Sequence, residues 1–273
     1  MSHRRALPGF GLSLGVSVAY VSLLVLLPLL GVVAHGLGLG PAKIWALCTE
    51  PRAAAALMLS FGGAAVAAVI DTVFGALVAW VIVRYRFPGR RIIDVLVDVP
   101  FALPTAVAGI ALTAVYAPTG VLGAPLAELG VSAAYTRVGV VVALVFVGLP
   151  FTVRTIQPVL ESLDPAIEQA AATLGATRAQ TLWRVVMPAL RPAAITGFTL
   201  AFARGVGEYG SVVFISGNMP MRTEIGPTLV MTKLEQFDLQ GATSLGLAML
   251  VVSLVLLLAL EALAARDAKR SAA

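Results

Sequence analysis

Apolar residues run through this chain in stretches of about twenty, separated by short polar segments, and that alternation predicts a bundle of membrane-crossing helices. The stretches are 14–33, 57–83, 95–117, 138–153, 193–215 and 244–264. A helix of roughly 20 residues crosses about 30 Å of hydrocarbon, so six spans are expected. The fourth is short, and Arg154 at its end can reach the interface while the helix continues. The longest polar interruption, Asp164–Pro188, reads DPAIEQAAATLGATRAQTLWRVVMP and predicts two short amphipathic helices around Gly175. Asp164 caps the first, with Pro165 at its first position. Ile167, Ala170, Ala171 and Leu174 follow at i, i+3, i+4 and i+7, which makes one apolar face. Thr177 and Gln180 form a T-x-x-Q capping box for the second helix, whose apolar face is Leu182, Val185, Val186 and Ala189. Pro188 and Pro192 then mark the turn into the fifth span. Spacing alone leaves two readings of this unit: a docking surface for a partner, or a helix pair resting on the membrane.

Composition agrees with an all-α integral membrane protein: 59% of the 273 residues are hydrophobic, 12% are charged, and the mean hydropathy is +0.95. No repeat and no Ser/Gly/Pro-rich linker divides residues 1–273, and the connections at 34–56, 118–136 and 217–240 are too short for folded domains, so a single membrane domain is expected. His3, Arg4 and Arg5 before the first apolar run resemble a signal peptide, with Val32-Val33-Ala34 as a small-residue site. The run exceeds the usual h-region, which favours an uncleaved first span. Thirteen of the nineteen basic residues fall in the termini and alternate loops that carry Arg84, Arg86, Arg154, Arg178, Arg184 and Arg191, against five on the other side. Retention of positive charge in the cytoplasm therefore puts both termini and the 164–188 unit inside. The same retained charge explains a sequence pI near 9.8 without nucleic-acid binding. Cys48 is alone and His3 and His35 are isolated, so no disulfide framework or Cys/His metal cluster is expected.

The candidate chemistry is sparse. Lys43, Lys233 and Lys269 are followed by Ile44, Leu234 and Arg270, so no GxxxxGK[ST] loop exists and any coupling to ATP must come from another subunit. A GxGxxG occurs at Gly205–Gly210, but it lies inside an apolar run rather than between a strand and a helix, where glycines serve close helix approach or local unwinding. In that run Arg204 and Glu208 stand four residues apart and can pair. They are either a self-neutralising packing pair or the lining of an anion pathway in which Glu208 holds Arg204. Asp71, a third intramembrane charge, is an alternative partner for Arg204. In Asp98–Leu112, DVPFALPTAVAGIAL, Pro100, Pro104 and Gly109 oppose a continuous helix. A kinked or re-entrant helix start is expected there, and freed N–H groups at such a start attract anions; a plain proline kink is the alternative. The ionisable groups assemble no nucleophile–base set, so no catalytic residue is assigned. A rival from another class is a proton-coupled secondary anion transporter with Asp71 and Glu208 as carriers.

The run Gln169-Ala170-Ala171, three residues, Gly175, nine residues, Val185-x-Met187-Pro188 resembles the EAA loop of ABC importer permeases, with Gln169 where the family usually has Glu and Glu168 beside it. RYRFPGR (84–90), DVPFALPTAVAG (98–109), QPVLESLDP (157–165), LGATRAQ (174–180), ARGVGEYGSVVFISGN (203–218) and LEQFD (234–238) resemble sulfate/thiosulfate permease subunits of the CysT (CysU) type. The GEYG-to-SGN run and LEQFD separate that type from the similar molybdate permease, which stays the nearest alternative. The resemblance implies a type I (molybdate/sulfate) permease fold with a cytoplasmic coupling helix, in which Ile167, Glu168, Gln169, Ala170, Ala171, Leu174 and Gly175 meet an ATPase. It implies a bacterial inner-membrane complex of this chain, a second permease subunit of the CysW type, two copies of an ABC ATPase subunit that bind ATP and Mg, and a periplasmic sulfate/thiosulfate-binding protein. Arg204, Glu208, Asp71, Pro100 and Pro104 are the expected pathway residues.

Overall fold

A computed structural model describes the backbone of residues 10–271 and the side chains of residues 10–264. The charges at Arg4, Arg5, Arg266, Lys269 and Arg270 used for orientation lie outside the described side chains. The described chain is helical, and five helices are long and apolar enough to cross a membrane. In order, α1 is Phe10–Leu39 with a π-turn at Ser22–Leu26, α2 is Pro41–Thr49 and α3 is Pro51–Arg84. An interrupted stretch follows, made of α4 (Arg90–Val97), α5 (Val99–Ala102), α6 (Thr105–Tyr116) and the short α7 (Gly123–Glu128). Then come α8 (Arg137–Ser162), α9 (Pro165–Thr173) and α10 (Arg178–Val206, with a π-turn at Leu182–Val186). The chain ends with α11 (Val212–Ile215), α12 (Gly226–Glu235) and α13 (Leu239–Ser271).

The core is the triangle of α3, α8 and α10, held by small residues that let backbones approach. A Cβ on Gly75 of α3 would overlap the Thr152 hydroxyl of α8, and one on Gly197 of α10 would lie 3.1 Å from the Thr152 Cα. Three helices thus meet at one threonine. Its buried hydroxyl reaches back across the interface to the Asp71 carbonyl at 3.0 Å. In contrast α1 and α13, which pack on each other at the periphery, bury none of their most apolar windows within this chain. Lipid or neighbouring subunits must cover those faces.

The third predicted span, 95–117, is not one helix. Pro100 is tolerated in the first turn of α5, where its missing N–H is no loss. Pro104, at φ −55° and ψ 133°, then forces extended backbone and restarts the chain as α6, the break that the proline pattern anticipated. The broken stretch still runs antiparallel to α8: Asp94 and Asp98 sit beside Arg154 at one end, and Tyr116 accepts a hydrogen bond from the Ala134 N–H at the other. The helix between Thr136 and Arg154 rises about 27 Å. The stretch from Asp94 to Tyr116 therefore follows α8 as broken segments, none of them long enough to cross a membrane as one helix.

The fourth and fifth expectations also shift. α8 continues past 153 to Ser162, as Arg154 allowed, and Arg154 itself is bound by a bidentate contact to Asp98 (2.8 and 2.6 Å) and by Asp94 (2.6 Å). The second half of the polar unit is no separate helix, because α10 starts at Arg178 and passes through both Pro188 and Pro192. The π-turn explains this. The Met187 N–H bonds to the Leu182 carbonyl, five residues back, so the ladder widens just before Pro188, where a donor is missing.

Candidate functional site

Two arrangements carry candidate chemistry. The first is the polar unit. α9 opens as expected: the Asp164 carboxylate accepts the Ala166 N–H at 2.8 Å, and Pro165 occupies the first turn. It closes on Gly175 at φ +82°, where the Gly175 and Ala176 N–H groups bond back to the Ala172 and Ala171 carbonyls. The Thr177–Gln180 capping box is complete in both directions. Ile167, Gln169, Ala170, Leu174 and Gly175 are exposed, Ala171 is half-buried, and Leu174 is 88% exposed. An apolar stripe is thus left bare on a helix with well-formed ends. Glu168 departs from this set. It turns inward to Arg84 at the end of α3 (2.9 Å), while the same guanidinium donates to the Leu163 carbonyl (3.0 Å) and lies 5.9 Å from the Trp80 ring centre. Arg84 is therefore the post to which α9 is tied, and Glu168 is part of the mount rather than of the exposed face.

The second arrangement is where two helix interruptions meet. α10 ends at Val206, and the chain passes through Gly207–Gly210 before α11. A Cβ on Gly210 would overlap the Thr105 hydroxyl, and one on Gly109 would come within 2.5 Å of the Ser211 carbonyl. The start of α6, just after Pro104, is thereby pressed against the end of α10. Irregular backbone at this depth survives only where it is buried in protein or lines a cavity.

Arg204 and Glu208 stand at that junction. The Arg204 guanidinium meets Glu208 Oε2 at 2.5 Å, and the other carboxylate oxygen accepts the Ser211 N–H (2.9 Å) and the Ser211 hydroxyl (2.8 Å). Glu208 is 1% exposed, whereas the Arg204 side chain keeps a third of its surface. The carboxylate is a buried cap for the interrupted chain, and the cation it holds faces outward. Gly205, one residue on, packs against Ala64 of α3 and Leu144 of α8. Leu144 is seven residues from the α8 start, so Arg204 lies about 10 Å from that end of the bundle. Arg204, Glu208 and Pro104 come together here. Asp71 does not: it is 1% exposed among α3, α8 and α10, with Gly148 against its carboxylate and neither oxygen hydrogen-bonded. The proposed Arg204–Asp71 alternative is thus replaced by the Glu208 pair. Pro100 sits four residues before the junction, in the first turn of α5.

Several residues escaped the sequence reading. Ser211 is signalled only by its i+3 spacing from Glu208. The Arg154–Asp94–Asp98 cluster joins residues nearly sixty apart, although two aspartates four residues apart, in and just after α4, were a hint. At the opposite end of the bundle from α9, Arg52 makes a bidentate pair with Glu224 (2.8 Å twice), and Ser60 accepts the Gly226 N–H (2.7 Å). The LEQFD segment is the turn from α12 into α13. There Phe237 is 90% exposed at φ +58°, a conformation that costs about 1–2 kcal/mol for a residue with a side chain. Asp238 holds the turn by pairing with Lys233 (2.8 Å) and accepting the Gly241 N–H (2.9 Å). Lys233 first, then that N–H, keeps the Asp238 carboxyl below the usual carboxylate range.

Residues 71–270 match the family described as the binding-protein-dependent transport system inner membrane component. The sulfate transport system permease protein CysT of Salmonella typhimurium is 44% identical over 270 residues, covering 99% of this chain and 98% of the relative. The protein of the same name from Synechocystis is 46% identical over 248 residues, 91% of this chain and 87% of the relative. Among solved structures, a chain of a bacterial ABC transporter that imports the acidic polysaccharide alginate superposes with a TM-score of 0.75 at 15% identity, covering 94% of this chain and 96% of that one. A chain of the alginate transporter in complex with a periplasmic protein carrying an alginate pentasaccharide also gives 0.75, at 17% identity and 93% coverage of both chains. At such identities these structures speak for the fold alone.

Proposed function

The chain belongs to the family of binding-protein-dependent transport system inner membrane components, and from that premise we propose that it is the permease subunit of an ATP-driven sulfate importer, forming half of the translocation pathway. It is a multi-pass inner-membrane subunit of an ABC transporter and works with a binding protein. The substrate reading rests on relatives near 45% identity over nearly the whole chain, all of the sulfate transport system. The reading of how it is driven rests on α9: an apolar face left exposed at Ile167 and Leu174 on a helix locked to α3 through Arg84 and Glu168. An ATPase subunit docks on that face, and its movement is transmitted through the Arg84 mount into α3. ATP and Mg belong to that partner, present in two copies, and a second permease of the CysW type completes the pathway. The positive-inside distribution puts α9 and both termini in the cytoplasm.

The pathway runs past Arg204. A sulfate-sized anion needs a cation that attracts it without trapping it, and a guanidinium already half-neutralised by Glu208 meets both needs. The start of α6 adds the unpaired N–H groups of its first turn, beside the same junction.

Proteoliposomes test this directly. Sulfate uptake is expected only when this chain is assembled with a second permease, the ATPase and the loaded binding protein, and thiosulfate should compete better than molybdate. Uptake by this chain alone, abolished by an uncoupler, would instead support the proton-coupled transporter. Asp71 separates the two further. In a proton carrier Asp71→Asn abolishes transport; here it replaces a buried carboxylate that has no hydrogen-bonding partner by a neutral amide of the same shape, and sulfate uptake within about twofold of wild type is expected.

A further inference from the structure

The core triangle has three grooves, and the one between α3 and α10 is covered along only half its length. Near the start of α3, α12 and α13 close it: Leu229 and Leu245 pack on Ala53 and Ala56, and Met249 lies against Gly226 beside Ser60. From Val73 to Arg84 nothing described covers it, and a cavity of about 840 Å³ opens there between α3, α9 and α10. This volume lies in the range of small-ligand sites.

The cavity has two chemically distinct ends. The part away from α9 is hydrocarbon, walled by Phe74, Leu77 and Trp80 on one side and by Leu182, Met187 and Leu190 on the other. The π-turn at Leu182–Val186 forms part of this second wall, and its widened backbone displaces α10 locally from a regular helical path. The mouth is polar and lies beside α9, with Arg84, Arg178, Glu168 and Gln169 around it and Tyr85 at its edge. Glu168 and Arg84 neutralise each other, which leaves Arg178, exposed and without an ion pair among the described residues, as the net charge. Trp80 and Tyr85 flank Arg84 at this end of α3, and they are the residue types that gather at a membrane–water interface. An apolar slot with a cation at its mouth matches an amphiphile with a negative head. A soluble ligand would leave the hydrocarbon walls unsatisfied, and a peptide segment would bring backbone polar groups into a slot with no partners for them.

We propose that this cavity seats one acyl chain of an anionic phospholipid, with its headgroup phosphate at Arg178 and the Gln169 amide. The lipid comes from the inner leaflet, a placement that rests on the orientation proposed above. It would fill the space between the mounted coupling helix and the core triangle, stiffening the link from α9 to α3.

The test uses the assembled transporter in nanodiscs of phosphatidylcholine doped with phosphatidylglycerol, transferred to detergent, with retained lipids counted by native mass spectrometry. Wild type should keep one phosphatidylglycerol per copy of this chain, with about fivefold preference over phosphatidylcholine, the effect of one basic residue near an anionic surface. Arg178→Glu should abolish the preference and Arg178→Lys should keep it. Leu77→Trp, at an exposed wall position, should fill the slot and release both lipids. No retention by wild type, or retention unchanged in both Arg178→Glu and Leu77→Trp, overturns the proposal. A photoactivatable phosphatidylglycerol on wild type gives a check free of folding defects: labelling of 73–85 or 182–190 supports the site, and labelling confined to α1 and α13 overturns it. Sulfate uptake read on the same preparation keeps the two readings apart, since lipid retained without uptake counts against the importer and uptake without lipid counts against this site alone.

Discussion

Leu174→Asp should assemble in the membrane and yet fail to couple, with sulfate uptake and binding-protein-stimulated ATP hydrolysis both falling about thirtyfold or more. The side chain is 88% exposed at the end of α9, so removing it takes no packing from this chain. It is the most exposed large apolar group on the face, and an anchoring residue of that kind carries about 2 kcal/mol or more of an interface, equivalent to about thirtyfold in affinity. Aspartate adds the desolvation of an unpaired charge. Ala171→Trp attacks the same contact by bulk, although Ala171 is half-buried and its carbonyl closes the helix end, so that variant also strains α9 itself. The measurement is pull-down of the ATPase subunit beside uptake in proteoliposomes. Normal docking and uptake in Leu174→Asp would remove α9 as the coupling element.

Glu168 refines what the motif means in this chain. Along the sequence it stands beside Gln169, the position where the family usually has a carboxylate. In space the two diverge: Gln169 is exposed beside the cavity mouth, while Glu168 points to Arg84, eighty-four residues earlier. The carboxylate next to the missing one therefore belongs to the attachment of the coupling helix to α3. Partner identity across such separations is what one sequence does not encode, since spacing fixes which residues share a helix face and not which face meets which. The Arg154 fork with Asp98 was hidden for the same reason, as was the burial of Asp71 behind Gly148.

Local features were far more legible. Hydropathy found every long helix, and the Asp164 cap, the Thr177–Gln180 box and the Gly175 turn all form as their side-chain chemistry requires. The boundaries failed at prolines. Pro104 and Pro188 look alike in sequence, yet the first ends a helix and the second is absorbed by a π-turn whose extra residue leaves no compositional mark. Consequently the polar unit, which spacing predicts as two short amphipathic helices, holds only one separate helix, α9. Its second half is the foot of the long helix that carries Arg204 in its last turn, so the polar unit and the Arg204–Glu208 junction share one continuous element.

That junction yields the other large effect, and a double substitution separates its structural part from its transport part. Arg204→Met leaves Glu208 buried with its Ser211 contacts but without a counter-charge, which should lower stability by about 3 kcal/mol, the low end for a broken buried pair because Arg204 itself is partly exposed. Glu208→Gln alone should be milder, since the amide oxygen still accepts the Ser211 N–H and Arg204 can turn to water. In Arg204→Met/Glu208→Gln no buried charge remains, so the thermal midpoint should recover to near that of Glu208→Gln. Transport should not recover. A charge-assisted hydrogen bond to the passing anion is worth about 2 kcal/mol, so both variants lacking Arg204 should stay about thirtyfold slow at limiting sulfate. Arg204→Lys in the Glu208 background should restore part of the rate, because the ammonium keeps the charge that attracts the anion but lacks the planar set of donors of the guanidinium. Thermal melts of the assembled complex and initial uptake rates measure the two axes. If the stable double variant transports at the wild-type rate, Arg204 is packing alone and the anion crosses elsewhere.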